Sequence, residues 1–244
     1  GVWNALGQTI FGERVGDSKQ AIAMNGLGNI LVIGTERNDD AGYDFGSVRV
    51  FQYDDSQSLW VQMGVDIDGA SLEEYFGANV SINYSGDTIV ATAYNYNGRQ
   101  GRYKVYKFTG SEWNLLGSEI IGEEVGESSW MASCSINNEG NIVALGIPEA
   151  NLYNGYKTGS ARIYKYNSSD DSWVKMGSDI YGSTNQATYY GGAISLNSTG
   201  KTVIIGGPRA SNPILTDPAN YRNGVIEVFD YNDDTDTWVQ KGTS

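Results

Sequence analysis

The sequence predicts an all-β protein built from internal repeats, for two reasons: its composition and a regularly spaced tryptophan. The chain has 244 residues, with 32 glycines, 17 tyrosines and only 4 prolines. A chain rich in tyrosine and glycine, with few helix-forming residues, is typical of strands joined by many turns. Repeat-built β folds of this length form one domain, so residues 1–244 are expected to be a single domain.

The tryptophans mark the repeat. Five of them are spaced 57, 53, 60 and 65 residues apart, and each is followed by a glycine four positions later. The pairs are Trp3–Gly7, Trp60–Gly64, Trp113–Gly117, Trp173–Gly177 and Trp238–Gly242. The first four copies also carry isoleucine seven positions, and glycine nine positions, after the tryptophan. This pattern predicts repeats over residues 3–59, 60–112, 113–172 and 173–237, with residues 238–244 beginning a further strand.

Each repeat contains four short extended segments, which the second repeat shows most clearly. Apolar and polar residues alternate over 78–82 and 88–92, and the turn Asn83–Gly86 separates these two segments. A longer loop leads to the third segment, 103–108, and the fourth begins at Trp113 and runs to Ile120. Four antiparallel strands in each of four repeats predict a β-propeller with four blades, or four blades of a larger propeller.

The two ends of the chain raise the question of ring closure. In a closed ring, we expect the segment from Trp3 to Ile10 to complete the last blade and remove its exposed edge. The segment that starts at Trp238 is then a short tail, or the first strand of further blades. A third alternative is that this strand, which has unpaired backbone groups, pairs with a neighbouring subunit and builds head-to-tail filaments.

Several short motifs resemble those of known propeller families. The hairpins Tyr53 to Trp60, Tyr166 to Trp173 and Tyr231 to Trp238 resemble kelch repeats. Three other stretches resemble the FG-GAP repeats of integrin-type propellers; they are Phe76-Gly77, Gly146-Ile147-Pro148 and Gly206-Gly207-Pro208. The resemblance implies a propeller of the kind found in secreted and cell-surface proteins. It does not carry over the calcium loop of FG-GAP repeats, because the turn between the first two strands is four residues long and has too few carboxylates.

Composition excludes several classes of function. Histidine is absent, which removes Ser-His-Asp and Cys-His catalysis and every histidine-ligated metal site. The chain has 16 basic and 29 acidic residues, a net charge of −13, and this argues against a nucleic-acid partner. No apolar run approaches the roughly 18 residues of a membrane helix, so no membrane insertion is expected. The single cysteine, Cys134, is expected to be a small buried residue.

The loops between the second and third strands vary in length and emerge on the same face as the connections between blades. Their tyrosine, aspartate and arginine side chains suit carbohydrate or protein binding, because a ring stacks on an apolar surface while polar groups bond hydroxyls. Ordinary solvated loops are the alternative. The candidate ligand-binding residues are Asp39, Asp40, Tyr43, Tyr94, Tyr96, Arg99, Tyr153, Tyr156, Arg209, Tyr221 and Arg222.

Acidic residues and sequons supply two further sets of candidates. Paired carboxylates in the connections between blades can bind calcium or cleave glycosides, although a solvated acidic rim is the simpler interpretation; they are Glu73, Glu74, Glu123 and Glu124. Sequons predict N-glycosylation first at Asn167, then at Asn197 and Asn83. Asparagine at the last two positions is also explained by turn geometry alone.

Together these features predict a non-enzymatic extracellular or cell-surface module with a structural or adhesive role, or a protomer of a surface array or fibril. The alternatives are a glycan-binding lectin that uses the variable loops and, third, a glycosidase. The expected partners are other protein subunits or glycans. No cofactor is expected, and calcium is the alternative.

Overall fold

The computed structural model describes residues 1–14, 17, 20–152, 156–182, 188–209 and 224–242. They form antiparallel sheets of four consecutive strands each, which we call blades. The first blade contains β1 (Gln20–Met24), β2 (Ile30–Thr35), β3 (Ser47–Asp54) and β4 (Leu59–Gln62), and β5 (Ile67–Asp68) also pairs with β3. The second contains β6 (Phe76–Ile82), β7 (Thr88–Ala93), β8 (Arg102–Phe108) and β9 (Trp113–Leu115), with β10 (Ile120–Ile121) paired to β8.

The third and fourth blades repeat this order. The third contains β11 (Ser133–Ile136), β12 (Ile142–Ile147), β15 (Ser160–Asn167) and β16 (Ser172–Lys175), with β17 (Ile180–Tyr181) paired to β15. A small hairpin of β13 (Asn151–Leu152) and β14 (Tyr156–Lys157) lies in its longest loop. The fourth contains β18 (Ala193–Leu196), β19 (Thr202–Gly207), β20 (Val225–Asn232) and β21 (Thr237–Gln240). Within the described part of the chain, the only helix is the four-residue turn α1 (Tyr96–Arg99). A helix that could span a membrane is therefore not found among these residues.

The blades pack face to face around their first strands. β1 contacts β6, β6 contacts β11, and β11 contacts β18. Three apolar clusters lie between successive blades, from the first to the fourth. Among the described residues, no such cluster joins the fourth blade to the first. The structure confirms the predicted all-β fold with four blades of four strands, arranged as in a β-propeller.

The turn between the first two strands is built on one asparagine. The side-chain oxygen of Asn83 accepts hydrogen bonds from the backbone N–H groups of Gly86, Asp87 and Thr88, at 3.0, 3.1 and 3.0 Å. The same bonding pattern recurs in the other blades, at Asn25, Asn137 and Asn197. Turn geometry therefore accounts for asparagine at all these positions, as the sequence suggests.

The tryptophans repeat because each one makes the same contact with the preceding tryptophan strand. Each indole N–H donates to a backbone carbonyl three positions after the preceding tryptophan; the pairs are Trp60–Leu6 (2.9 Å), Trp113–Met63 (2.7 Å), Trp173–Leu116 (2.8 Å) and Trp238–Met176 (2.8 Å). The glycine that follows lies against the same indole. At Gly117, which has a φ of +71°, a Cβ atom would lie 3.0 Å from Nε1 of Trp173. The spacing of four residues thus keeps a side chain out of the space that the next indole occupies.

The prediction for ring closure is wrong. The segment from Trp3 to Ile10 does not complete the fourth blade but lies against the first, where the side chain of Gln8 bonds both backbone groups of Trp60 at 2.7 and 2.8 Å. Trp3 is fully exposed. The segment around Trp238 is β21, the fourth strand of the fourth blade, and it pairs with β20. Each blade therefore ends, rather than begins, with its tryptophan strand.

Candidate functional site

The loops between second and third strands and the connections between blades lie at one end of the molecule, which we call the loop face. Gly46 ends the first such loop and bridges to Phe76, where the next blade begins. Gly159 and Tyr190 form the same bridge between the third and fourth blades. Both of these loops are therefore held beside the start of the next blade, and residues far apart in sequence meet there.

The candidate residues of the first loop serve mainly the loop itself. Asp39 accepts a hydrogen bond from the backbone N–H of Asp44 at 2.7 Å. Asp40 forms an ion pair with Arg14. Tyr43 is well exposed, and its carbonyl accepts a hydrogen bond from the N–H of Glu73 at 3.1 Å.

The candidates of the second loop point in different directions. Tyr94 stacks on Tyr75 with ring centroids 5.1 Å apart and an interplanar angle of 5°. The guanidinium of Arg102 lies 4.2 Å from the centroid of the Tyr96 ring. Arg99 pairs with the carboxylate of Glu149 at 2.6 Å, and Lys157 pairs with the same carboxylate at 2.8 Å.

One of the remaining candidates, Arg209, lies in the described part of the chain. Arg209 lies over the ring of Tyr189, 4.5 Å from its centroid. Tyr153, the side chain of Tyr156, Tyr221 and Arg222 lie outside the described residues. Among the described candidates, those of the first loop, those of the second loop and Arg209 therefore make separate contacts on the loop face.

A cluster that the sequence did not predict lies between the first and second blades, around the stacked tyrosines. We call it the Tyr75–Tyr94 cluster; its members are Glu36, Arg37, Asp44, Tyr75 and Tyr94. Nε of Arg37 lies 4.0 Å from Oε1 of Glu36, and its guanidinium lies 6.0 Å from the centroid of the Tyr75 ring. The side chain of Arg37 is 52% exposed, whereas that of Glu36 is 1% exposed. An accessible cation, a buried carboxylate and two stacked rings thus share one edge of the loop face.

Both tyrosines of the cluster keep their protons at neutral pH. Burial, followed by the charge of Glu36, raises the pKa of Tyr94. Burial, followed by the charge of Asp44 and a hydrogen bond to it, raises the pKa of Tyr75. Both hydroxyls therefore remain hydrogen-bond donors.

The backbone around the cluster is strained. Asp44, Glu73 and Tyr75 have φ angles of +50°, +53° and +56°, in the left-handed region that residues other than glycine seldom adopt. The N–H of Tyr75 donates to the carbonyl of Asp44 at 3.1 Å, and this bond between blades holds the two strained residues together. Strained residues of this kind gather at functional sites. A signal was present in the sequence, since Glu36 and Arg37 are two adjacent charges that directly follow the buried strand β2.

The acidic residues proposed for calcium are mostly engaged elsewhere. Glu74 is buried, accepts the N–H of Ala70 at 2.9 Å, and pairs with Nε of Arg102 at 3.1 Å. Glu123 pairs with Lys175 at 3.0 Å. Glu73 and Glu124 are exposed. The described residues include no group of three or more acidic or cysteine side chains that could hold a metal ion, so the alternative of a calcium site finds no support in this part of the chain.

The predicted glycosylation sites differ in accessibility. Asn83 is buried, and its amide nitrogen donates to Ser85 and Asp87, at 2.9 Å in both cases. Its amide is therefore committed to the turn and closed to a glycan in the folded protein. Asn197 is exposed, and Asn167 is partly exposed at the end of a hairpin. Glycosylation at these two positions stays a prediction.

Comparisons with known proteins support the fold and revise the functional expectation. No known protein family and no curated protein matches the sequence. Among solved structures, the chain is similar to a periplasmic gluconolactonase of Pseudomonas aeruginosa, with 9% identity, coverage of 92% of this chain and 56% of that chain, and a TM-score of 0.59. A protein described as a 6-phosphogluconolactonase of Bacteroides fragilis has 12% identity, coverage of 91% and 53%, and a TM-score of 0.54. KlAtg21, in complex with the coiled coil of AgAtg16, has 13% identity, coverage of 90% and 56%, and a TM-score of 0.56.

These similarities show the fold alone, and the chain spans just over half the length of each of these structures. Two of them are named as lactonases, which contradicts our expectation of a non-enzymatic adhesive module. The reasoning behind that expectation was at fault, because the absence of histidine removes only histidine-dependent catalysis. The propeller fold is shown, whereas membership of the FG-GAP or kelch families is not.

Proposed function

We propose that this protein hydrolyses small sugar-derived esters, and sugar lactones in particular, at the Tyr75–Tyr94 cluster. The observation that carries the proposal is the meeting of an accessible guanidinium, a buried carboxylate and two stacked phenol rings at one edge of the loop face. The names of two similar structures suggest the substrate class, although the likeness to them extends to the fold only.

The two tyrosines suit a sugar ring. An aromatic ring packs against the apolar face of a sugar, while a phenol hydroxyl donates to one of its oxygens. Tyr94 and Tyr75 are both partly exposed and both protonated, so each offers a ring, and Tyr94 also offers a donor, since the hydroxyl of Tyr75 is bonded to Asp44. In this proposal their stacking fixes the ring planes before the ligand arrives.

The charged pair suits ester hydrolysis. Water adds to the carbonyl carbon of the lactone, the ring C–O bond breaks, and the proton lost by the water ends on the leaving oxygen, which gives an open hydroxy acid. In this proposal Glu36 accepts the proton from the water as a general base. Arg37 donates to the carbonyl oxygen as negative charge develops there. The distance of 4.0 Å between Arg37 Nε and Glu36 Oε1 supports the assignment of these two roles to one site.

The test is proton release during hydrolysis of glucono-δ-lactone, followed in a pH-stat and corrected for spontaneous hydrolysis. We expect Glu36→Gln and Arg37→Ala each to lower the enzymatic rate by about 100-fold, as is usual for the loss of a general base or an oxyanion donor. Glu139→Gln is the matched control, because Glu139 lies in the turn between the first two strands of the third blade, away from the cluster. A wild-type rate equal to the spontaneous one would overturn the proposal, as would full activity of both variants.

An extracytoplasmic location is the second part of the proposal. It is supported by the accessibility of Asn197 and Asn167, and one similar structure is a periplasmic protein. Intact mass after secretion from a eukaryotic host should show glycan at one or both positions, and loss of the added mass in Asn167→Gln and Asn197→Gln variants. An unmodified wild-type mass would contradict this part.

A further inference from the structure

The two end blades expose faces that are covered everywhere else in the molecule. The residue three positions before the turn asparagine is buried in the second and third blades, where Val80 and Cys134 are each 7% exposed. Its equivalent in the first blade, Ile22, is 78% exposed. Met24, two positions later, is also exposed, whereas Ile82 and Ile136 are buried. The exposed face of the first blade is therefore the one on which, in the other blades, the preceding blade packs.

The fourth blade presents the opposite face. The residue two positions after the glycine that opens the third strand is Val48, Tyr103 or Ala161 in the first three blades, with exposures of 0%, 2% and 0%. In the fourth blade it is Ile226, which is 73% exposed. Ile204, in the second strand of the same blade, is exposed as well. These two isoleucines lie on the face that, in each of the first three blades, packs against the following blade.

A hydrogen bond repeated between blades shows that the two faces are complementary. Oγ of Ser81 accepts the N–H of Ile136 at 3.3 Å, and Oγ of Ser135 accepts the N–H of Leu196 at 3.0 Å. The next serine in this series is Ser195, on the exposed face of the fourth blade. The N–H equivalent to those of Ile136 and Leu196 on the first blade belongs to Met24. One face therefore carries the acceptor, and the other carries the donor.

We propose that two copies of this chain close a single ring, with the fourth blade of each copy packed on the first blade of the other. Two copies of four blades make eight, which lies within the four to eight blades of known propellers. A second copy buries both faces through the same contacts that join the blades within one copy.

The segment Leu6–Ile10 limits the proposed contact between the two copies to the inner part of the first blade. It already covers the outer part of the first blade, where its glycine and glutamine lie against Trp60. The proposed contact therefore uses the inner strands, β1 of one copy and β18 to β20 of the other. It is a contact between sheet faces and differs from the addition of β21 to a neighbouring sheet.

The first test is the mass in solution, by sedimentation equilibrium over a range of protein concentrations. The ring predicts twice the chain mass of 26.5 kDa, 2 × 26.5 = 53 kDa. We expect Ile22→Glu and Ile226→Glu each to give monomers, because each places a charge at both junctions of the ring. Val125→Glu, which alters an exposed valine in a connection between blades, is the control and should remain dimeric. Circular dichroism confirms that each variant is folded.

Mixing the two variants distinguishes this head-to-tail ring from other dimers. A mixed dimer of Ile22→Glu and Ile226→Glu has one junction with both mutations and one with none, so the mixture should recover part of the dimer that neither variant forms alone. A wild-type monomer overturns the proposal, as do open assemblies larger than a dimer or a dimer that only one of the two substitutions disrupts. The readout is mass, so its failure is independent of the proposed hydrolase activity.

Discussion

The third and fourth blades follow the same backbone pattern but differ in one buried position. Three residues after the glycine that opens the third strand, the third blade carries Arg162, which is buried and bonds both oxygens of Glu127 at 2.7 and 2.9 Å. Its Nε atom bonds Asp179 at 2.7 Å. The fourth blade carries Glu227 there, and this side chain is partly exposed and bonds the amide of Gln240 at 3.3 Å.

The difference separates two functions of the repeat. Apolar alternation, turn asparagines and tryptophan–glycine pairs occur in both blades and are sufficient to form the sheet. Cations stand at this position in the first three blades: Arg49, Lys104 and Arg162. Arg49 and Arg162 join the third strand to the connection before the blade, through Glu13 and Glu127, whereas Lys104 pairs with Glu119, after the fourth strand of its own blade. Burial alone would lower the pKa of Arg162, but hydrogen bonds to Glu127 and the charges of its carboxylate partners outweigh burial and raise it.

The largest expected effect comes from breaking the ion pairs of the third blade. Arg162→Met removes the guanidinium from buried Glu127 and takes one of two cationic partners from Asp179, which keeps Lys175, and we expect it to lower the free energy of unfolding by about 3–5 kcal/mol. Glu227→Met, at the equivalent position of the fourth blade, should lower it by less, about 1–2 kcal/mol, because the hydroxyl of buried Tyr190 loses a neighbouring carboxylate. Urea unfolding followed by tryptophan fluorescence measures both. Equal losses in the two variants would remove the distinction between the blades.

A smaller effect is expected from the glycine that touches the next blade. A Cβ atom on Gly146 would lie 1.8 Å from the carbonyl oxygen of Gly191, so Gly146→Ala should destabilise the protein by about 1–3 kcal/mol. The equivalent glycine of the fourth blade, Gly206, has no atom closer than 3.4 Å to such a Cβ. Gly206→Ala is therefore the control and should be close to neutral in the same assay. A neutral Gly146→Ala would show that the blades separate more easily than their packing indicates.

The smallest effect concerns pH. Burial raises the pKa of both Asp179 and Glu74, but hydrogen bonds outweigh it. Lys175 and Arg162 donate to Asp179, and Arg102 donates to Glu74. Both pKa values are therefore held below their usual range. A carboxylate with a lowered folded pKa contributes stability above its unfolded pKa, about 3.9 for Asp and 4.3 for Glu. We therefore expect stability to fall as the pH drops below about 4.

The substitution Asp179→Asn provides the control for this pH dependence. It removes one of the titrating carboxylates, so the free energy of unfolding should depend less steeply on pH below about 4, as linkage requires. Urea unfolding at a series of pH values measures the slope. An unchanged slope would show that Asp179 does not carry the acid sensitivity.

Much of the fold follows from the sequence because its determinants are local. Asparagine at the turns, the alternation in β7 and the fixed tryptophan-to-glycine spacing each act within one repeat or between neighbouring repeats. The closure of the ring was beyond this reasoning. The pattern shows that Trp3 and Trp238 are equivalent, but only packing shows that the Trp3 segment lies on the first blade.

The candidate site depended on tertiary structure for the same reason. Tyr94 was predicted as a loop residue, whereas its partner Tyr75 lies in the connection before the second blade, and Glu36 and Asp44 belong to the first. By itself the sequence determined the strands, the turns and the number of blades, since each depends on neighbours along the chain. Only the tertiary structure decided which charges are buried together, which tyrosines stack and which blade faces stay open, because each of these depends on contacts between different blades.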